Sequence, residues 1–389
     1  MKLPRGMVQH DPIHPPRQLT PGPQLKRHSL LFLIRLSIVY NTTTVNPPSF
    51  MTSKEHNVKN MEQNETKEPL YTALRPQTWQ EYIGQEKLKN SLGVIIEAAK
   101  KRNDVLEHLL FYGNSGLGKT SLAQVVASEM GAKMTFCSGT SLERSGDVAS
   151  LLTNLEDGEI LFIDECHRLP RGILETLYSA MEDYKLHLVL GKGPMARTMD
   201  LSLPRFTLIG ATTKMAQLPA PFRNRFGAIF QLNFYEQRDI EKIVERSSSI
   251  LQLQLTKEAI AAIASRSRFT PRVANRILKR VRDIATINEI DLVDEKHAAE
   301  AFGFLEIDEL GLEPDDRKIL RTIIQKFSGG PVGIQALAAM AAEEQETILD
   351  VYEPYLLQLG FLERTPRGRV ATPRAYKHLD ITLPQKDLF

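Results

Sequence analysis

Eight residues, Gly113-Asn114-Ser115-Gly116-Leu117-Gly118-Lys119-Thr120, constrain this chain more than any other stretch. They fit Gly-x-x-x-x-Gly-Lys-Thr. An apolar run, Leu109-Leu110-Phe111-Tyr112, precedes them and a helical pattern, Ser121 to Met130, comes after. Strand, glycine-rich loop and helix in that order place curled backbone N–H groups and a helix N-terminus around a polyphosphate. Gly116 and Gly118 permit the curl, Lys119 bridges the outer phosphates, and the Thr120 hydroxyl is a ligand for Mg²⁺. The alternative, a glycine-rich turn with no ligand, does not require all eight positions in this setting.

A chain built on such a loop needs a parallel sheet, and the downstream sequence supplies its strands. Met134-Thr135-Phe136-Cys137 is short and extended. Glu159-Ile160-Leu161-Phe162-Ile163-Asp164-Glu165 is a continuous apolar run ending in two acids, as expected of a strand covered on both faces whose carboxyl end borders a ligand. There Asp164 can hold Mg²⁺ through its waters and Glu165 can polarise an attacking water, although two acids after a strand also serve to cap the next helix. Phe206 to Thr213 is a further buried strand ending in hydroxyls, and Thr213 can either bond the attacking water or the γ-phosphate or simply cap the strand.

At 389 residues and 42% hydrophobic, the chain can bury a large core in two or three domains. Its net charge of +2 requires any nucleic-acid surface to come from local clustering. Two cysteines, Cys137 and Cys166, with no CxxC pair, point to a reducing cytosol and away from a disulfide framework or a zinc site.

Residues 1–65 read differently. The first fifty hold eight prolines, six Lys or Arg and one acid, Asp11. The apolar run Leu30 to Tyr40 carries Arg35 and is about half the roughly twenty residues that a membrane span needs. A transit peptide or a poor signal peptide would have this composition. An unstructured tail, or a start placed too early with Met51 or Met61 as the true one, agrees better with the cytosolic character of the remaining sequence.

Leu74-Arg75-Pro76 and Tyr82-Ile83-Gly84-Gln85 form an extended approach to a helix over Glu86 to Lys101. Leu186 to Leu203 alternates around Gly191-Lys192-Gly193-Pro194 as a β-hairpin, either a partner contact or surface decoration. Arg223 and Arg225 flank a turn before the strand Ala228 to Leu232; in a ring, an arginine here can reach a neighbour's γ-phosphate. From Phe234 to Phe304 helical periodicity takes over. Pro271 suits a first helical turn, which leaves Arg272 able to face a nucleotide. From Leu312 onward three helices and a basic hairpin, Phe361 to Thr372, describe a winged helix. That module binds a phosphate backbone or, in the alternative reading, protein.

Together these residues resemble the RuvB family of the AAA+ class over about Leu70 to Leu383. The resemblance is carried by Leu-Arg-Pro at 74–76, Tyr-Ile-Gly-Gln at 82–85, Gly-Leu-Gly-Lys-Thr at 116–120, Ala-Met-Glu-Asp-Tyr at 180–184, Gly-Ala-Thr-Thr at 210–213, Thr-Pro-Arg-Val-Ala-Asn-Arg at 270–276 and Arg-Thr-Pro-Arg-Gly-Arg at 364–369. It implies an α/β P-loop AAA+ parallel-sheet domain over 66–233, a helical lid over 234–306 and a C-terminal winged-helix domain over 307–389.

The implied activity is Mg²⁺-dependent ATP hydrolysis driving Holliday-junction branch migration in the cytoplasm. The protein would act as a homohexamer on double-stranded DNA, with RuvA docked at the hairpin 186–203 and RuvC in the resolving complex. Leu74, Arg75, Ser121, Glu182, Asp183, Tyr184 and Tyr235 would contact nucleotide beside the loop residues. Thr213 would be the first sensor, Arg225 the finger acting across subunits, Arg272 the second sensor, and Arg364 and Arg369 DNA contacts. Departures are mild: Asn114-Ser115 replaces a proline pair, Cys166 an Ile, Phe269 a Gly and Asn224 an Asp, while Gln345 replaces an Arg and weakens that one DNA contact. A clamp loader or initiator is the rival within the class. A nucleotide-gated regulator with little turnover is the rival outside it.

Overall fold

Four segments build the central sheet, three of them apolar runs that alternate in direction of burial and the fourth an edge strand buried only at Cys137. In the computed structural model, which describes residues 73–190 and 197–383, they are β1 (Leu109–Tyr112), β2 (Met134–Ser138), β3 (Ile160–Asp164) and β6 (Thr207–Thr212), joined by β7 (Ala228–Gln231). The leader at 1–65 and the hairpin tip at 191–194 lie outside the described residues. All pairings in the sheet are parallel, in the order β2-β3-β6-β1-β7. Leu109 and Phe111 face one core while Leu110 faces the other, and Ile160 and Phe162 oppose Leu161 and Ile163 in the same way. The period of two therefore puts every second apolar side chain under helices on each face, which explains strands without polar alternation.

On one face lie α1 (Glu86–Arg102) and α2 (Lys119–Met130); on the other lie α3 (Ser145–Thr153) and α4 (Arg171–Asp183). From the end of α4 the chain enters an antiparallel hairpin, β4 (Lys185–Leu190) with β5 (Arg197–Ser202), in register from Lys185↔Ser202 to Leu190↔Arg197. A short helix, α5 (Ala220–Arg223), then precedes β7.

The lid consists of α6 (Gln237–Ile250), α7 (Lys257–Ser265), α8 (Pro271–Ile287) and α9 (Glu295–Phe304). In α8 the buried positions Ala274, Ile277, Leu278, Val281 and Ala285 make one stripe at helical spacing, and they share a core with α2 and the sheet. Periodicity does not reveal a parallel pair of two-residue strands, β8 (Gln254–Leu255) with β9 (Leu292–Val293), because so short a run carries no pattern of its own.

A separate core supports the last unit: α10 (Pro314–Lys326), α11 (Ile334–Ala341), a helical stretch over 345–358 that winds as a π-helix at Ile348–Tyr352, then the wing β10 (Leu362–Thr365) with β11 (Gly368–Ala371), and α12 (Pro373–His378). Val332 makes an isolated antiparallel bridge to Arg369 beside the two-stranded wing. A Cβ on Gly368 (φ 137°) would stand 2.3 Å from the Val332 carbonyl oxygen, so glycine is required there. Two sets of ion pairs seat this unit on the rest. Arg268 and Arg276 at the lid pair with Asp316 and Glu313 on and beside α10, and Lys214 of the core reaches Asp350 at 2.9 Å.

Candidate functional site

Helix α2 starts at Lys119 with Gly118 at its N-cap in the left-handed region (φ 94°) and no side-chain cap, so its first N–H groups are left for a ligand. Gly113 closes the other end of the loop: at φ 145° an added Cβ would lie 2.4 Å from the Leu232 carbonyl oxygen. The loop is thus pressed between β1 and the segment after β7, a shape that only glycine permits. Lys119 is buried and donates to the Gly113 and Asn114 carbonyls at 2.8 and 3.0 Å, folding its ammonium back over the loop. Burial pulls that ammonium below its ordinary pKa, with the carboxylates of Glu165 and Asp164 pulling the other way.

Because β1, β3 and β6 are neighbours and parallel, their carboxyl ends deliver their residues to one edge. Thr120 donates to Asp164 Oδ2 at 3.3 Å, which joins a hydroxyl to a carboxylate at the head of α2. Among the described residues no group of three or more His, Cys, Asp or Glu could hold a metal. A hard cation at Thr120 and Asp164 would take its other oxygens from phosphate and water, so this donor pair fits Mg²⁺.

Glu165 leaves β3 in the left-handed region, φ 48°, an uncommon conformation for a side chain of this size, and its carbonyl oxygen would lie 2.5 Å from a Cβ at Gly139. Its Oε2 accepts a hydrogen bond from Thr213 Oγ1 at 3.1 Å and lies 3.1 Å from His167 Nδ1. The His167 contact holds the Glu165 carboxyl below its ordinary pKa against the opposing effect of burial, and Thr213 and Lys119 act in the same direction as His167. Cys166, buried in the core on one face of the sheet, has its thiol pushed up by burial. Among the residues that sequence reasoning passed over, His167 is in direct contact with the candidate catalytic carboxylate of Glu165. Its position two residues after Glu165 is visible in the chain, but only the tight turn at Cys166–Arg168 brings the ring back to the carboxylate.

The lid closes the cleft from above. Thr270 caps α8 by accepting from the Val273 N–H, Pro271 occupies the first turn, and Arg272 donates to Ser115 Oγ at 2.7 Å. Tyr235 donates to the Leu117 carbonyl at 3.2 Å, and burial raises its phenol to about 12. Arg246 of α6 donates to the Leu74 carbonyl at 3.1 Å and pairs with Glu81 at 2.5 Å, fastening the approach segment beneath the lid. One cleft is therefore lined by Leu74, Arg75, Gly116, Gly118, Lys119, Thr120, Ser121, Asp164, Glu165, Tyr235 and Arg272. Thr213 stands one hydrogen bond behind, through Glu165.

Glu182, Asp183, Tyr184 and Arg225 do not line that cleft. Glu182 and Asp183 end α4 and Tyr184 is its C-cap. Arg225 donates to Glu182 Oε2 at 3.0 Å and stacks 4.5 Å above the Tyr178 ring. Arg225 and Glu182 thus pair apart from the chain's own cleft, while Tyr184 packs edge-on against Phe206. In the wing, Arg364 and Arg369 face each other across β10 and β11, and both bond Glu353, whose side chain is 1% exposed. Arg364 remains 56% exposed whereas Arg369 is 12% exposed, so only Arg364 is presented freely to solvent.

Comparison with known proteins covers the same ground. Residues 74–232 match the Holliday junction DNA helicase RuvB P-loop domain, 235–308 the RuvB AAA lid domain, and 309–380 the RuvB C-terminal winged helix domain. A Holliday junction branch migration complex subunit RuvB from Dehalococcoides mccartyi is 56% identical over 312 residues, 80% of this chain and 89% of that protein. Its counterpart in Chloroflexus aggregans is 56% identical over 316 residues, 81% of this chain and 90% of that protein. Among solved structures, the Thermotoga maritima RuvB Holliday junction branch migration motor superposes with a TM-score of 0.74 at 46% identity, covering 80% of this chain and all of that one.

Proposed function

The chain belongs to the RuvB family, and on that premise we propose that it is an ATP-driven motor that moves double-stranded DNA to drive branch migration of Holliday junctions. The observation that carries the reading is convergence: the phosphate loop after β1, the acids after β3, the hydroxyl after β6 and Arg272 of the lid meet around one cleft. The three domains would divide at 66–233, 234–306 and 307–389, in keeping with the ranges of the three family matches.

ATP would lie in the cleft, with Thr120 and Asp164 holding a Mg²⁺ that neutralises charge on its outer phosphates. Lys119 turns from the loop carbonyls toward those phosphates. Glu165 orients a water and takes its proton, while Thr213 holds the carboxylate. Arg272 couples the lid to the loop, and Leu74, Arg75, Ser121 and Tyr235 enclose the nucleotide.

Arg225, paired with Glu182, serves the nucleotide of an adjoining copy in a homohexamer, together with Asp183 and Tyr184. Support comes from the Arg225–Glu182 pair and from none of the four lining the chain's own cleft. Arg364 and Arg369 mark the wing as the DNA face, the hairpin β4–β5 is the docking surface for RuvA, and RuvC joins in the resolving complex. Such a protein works in the cytoplasm. Among the described residues no helix is long and apolar enough to cross a membrane.

The test is ATP turnover by the purified chain with and without four-way-junction DNA and RuvA, alongside junction unwinding. Stimulated turnover with unwinding is expected. Turnover that neither partner raises would remove the motor reading and favour a nucleotide-gated regulator.

A further inference from the structure

We propose that His167 is a positioning residue for hydrolysis, fixing one oxygen of the Glu165 carboxylate so that the other is left for water. The proposal rests on the reading of the cleft as a site of ATP hydrolysis and adds a residue to it.

The geometry begins with the turn after β3. The Arg168 N–H donates to the Glu165 carbonyl at 2.9 Å, tightening Cys166–Arg168 into a 3₁₀ turn and swinging the imidazole back toward the carboxylate. The His167 side chain is 4% exposed, and its Nδ1 lies 3.1 Å from Glu165 Oε2 and 2.9 Å from Thr212 Oγ1. A ring nitrogen facing an ionised carboxylate at this distance must carry the proton, because a lone pair there would repel it. The other neighbour is compatible: Thr212 Oγ1 already accepts the Lys214 N–H at 2.9 Å and can accept from the imidazole as well. So the one Nδ1–H is shared between the Thr212 hydroxyl, its hydrogen-bond partner, and the Glu165 carboxylate beside it, and the β6 hydroxyl holds the ring in plane.

The arrangement of acceptors on Glu165 is one-sided. Oε2 accepts from Thr213 and has His167 Nδ1 3.1 Å away, whereas among the described residues Oε1 receives no hydrogen bond. A carboxylate tethered by two donors at one oxygen cannot rotate freely, so its other oxygen has a defined direction. Since Glu165 sits at left-handed φ, where the backbone is least tolerant of adjustment, side-chain donors have to supply that definition. A histidine serving merely as core packing would need neither the carboxylate nor a particular nitrogen, and this difference makes the two roles separable.

The experiment uses the full chain with His167→Ala, His167→Asn and His167→Gln. An Asn amide nitrogen falls close to the position of Nδ1, and a Gln amide nitrogen close to that of Nε2. For His167→Ala, kcat should fall about 10- to 100-fold, the range expected when a reacting group is misplaced by an ångström or less. KM for ATP, and the affinity for a fluorescent ATP analogue measured without Mg²⁺, should stay within about twofold of the unaltered chain.

Asn should restore most of kcat and Gln should not. Affinity for ADP with aluminium fluoride should fall in parallel with kcat, while affinity for ADP alone holds. An unchanged kcat in His167→Ala overturns the proposal. So does an equal loss in all three variants accompanied by a lowered melting temperature, which assigns the residue to packing. Should Ala fail to fold, the contrast between Asn and Gln still decides. If the unaltered chain binds ADP but shows no turnover, the reading of the cleft fails first and takes the proposal with it.

Discussion

Replacing Arg268 by Met should be far more damaging than replacing Arg268 and Asp316 together. Arg268 precedes the first turn of α8, is largely buried, donates to the Gly311 carbonyl at 3.1 Å, and pairs with Asp316 of α10, whose side chain is 0% exposed. Asp316 Oδ2 also accepts the Glu313 N–H at 2.8 Å, while Oδ1 has no hydrogen-bond partner among the described residues. Removing the guanidinium leaves a buried carboxylate with one backbone donor, and breaking such a pair costs about 3–5 kcal/mol. Arg268→Met combined with Asp316→Leu removes both charges. It should lie within about 1–2 kcal/mol of the unaltered protein, most of the residual being the lost cap at Glu313, worth about 1 kcal/mol.

A chain of several domains does not unfold in two states, so global denaturation is the wrong assay. Hydrogen exchange of the amides over 312–326 reads the relevant opening: about 4 kcal/mol is close to a thousandfold faster exchange in the single variant, with the double variant near the starting rate. If Arg268→Met speeds that exchange less than about fivefold, or if the double variant is the worse of the two, the buried pair does not hold wing to lid and the reasoning is wrong.

Arg225→Ala should retain ATP binding and lose hydrolysis on the order of 10³-fold, with activity recovered in mixed rings whose neighbours supply the arginine; mixing it with Glu165→Gln subunits checks this, and absent recovery counts against action across a subunit boundary. For DNA, Arg364→Ala should weaken binding across sequences and reduce the salt slope by about one, measured by titration at several ionic strengths. Arg369→Ala should instead loosen the wing by about 2–3 kcal/mol, seen as faster exchange over 362–371, because Arg369 is nearly buried and supports Glu353. Burial would raise the Glu353 carboxyl, but bonds from Arg364 and Arg369 outweigh it and hold the net pKa below the ordinary 4.5. The unfolded chain therefore takes up the proton first. Stability from this group is full above about pH 4.5 and is lost as pH falls through the lower folded value, so protection over 353–372 should decline in acid while remaining level from pH 6 to 8.

How much of this was legible before folding depends on the range of each signal. The phosphate loop, the Asp164-Glu165 pair and the capped start of α8 are local patterns of spacing and residue type, and each stands where that pattern placed it. Strand edges were close for the same reason: burial on both faces enforces an apolar run whose length the chain itself displays. Glu182, Asp183 and Tyr184 show the limit. Motif likeness attached them to nucleotide, yet none of them lines the cleft, and Glu182 pairs instead with Arg225, a partner forty-three residues further along the chain that no local pattern points to.

Arg364 and Arg369 are alike as sequence, five residues apart in one basic hairpin, and opposite in exposure once Glu353 comes up beneath them from eleven residues upstream of Arg364. His167 was readable as a letter and unreadable as a contact until a 3₁₀ turn and a strand forty-five residues later closed around it. Sequence alone thus determined which chemistry the chain carries, since loop shape and strand burial are set by residues adjacent along the backbone. Which oxygen of Glu165 is free, which arginine meets solvent and which residues stand outside the cleft were decided by tertiary structure, because each depends on groups brought together only when parallel strands and packed helices fix their separation.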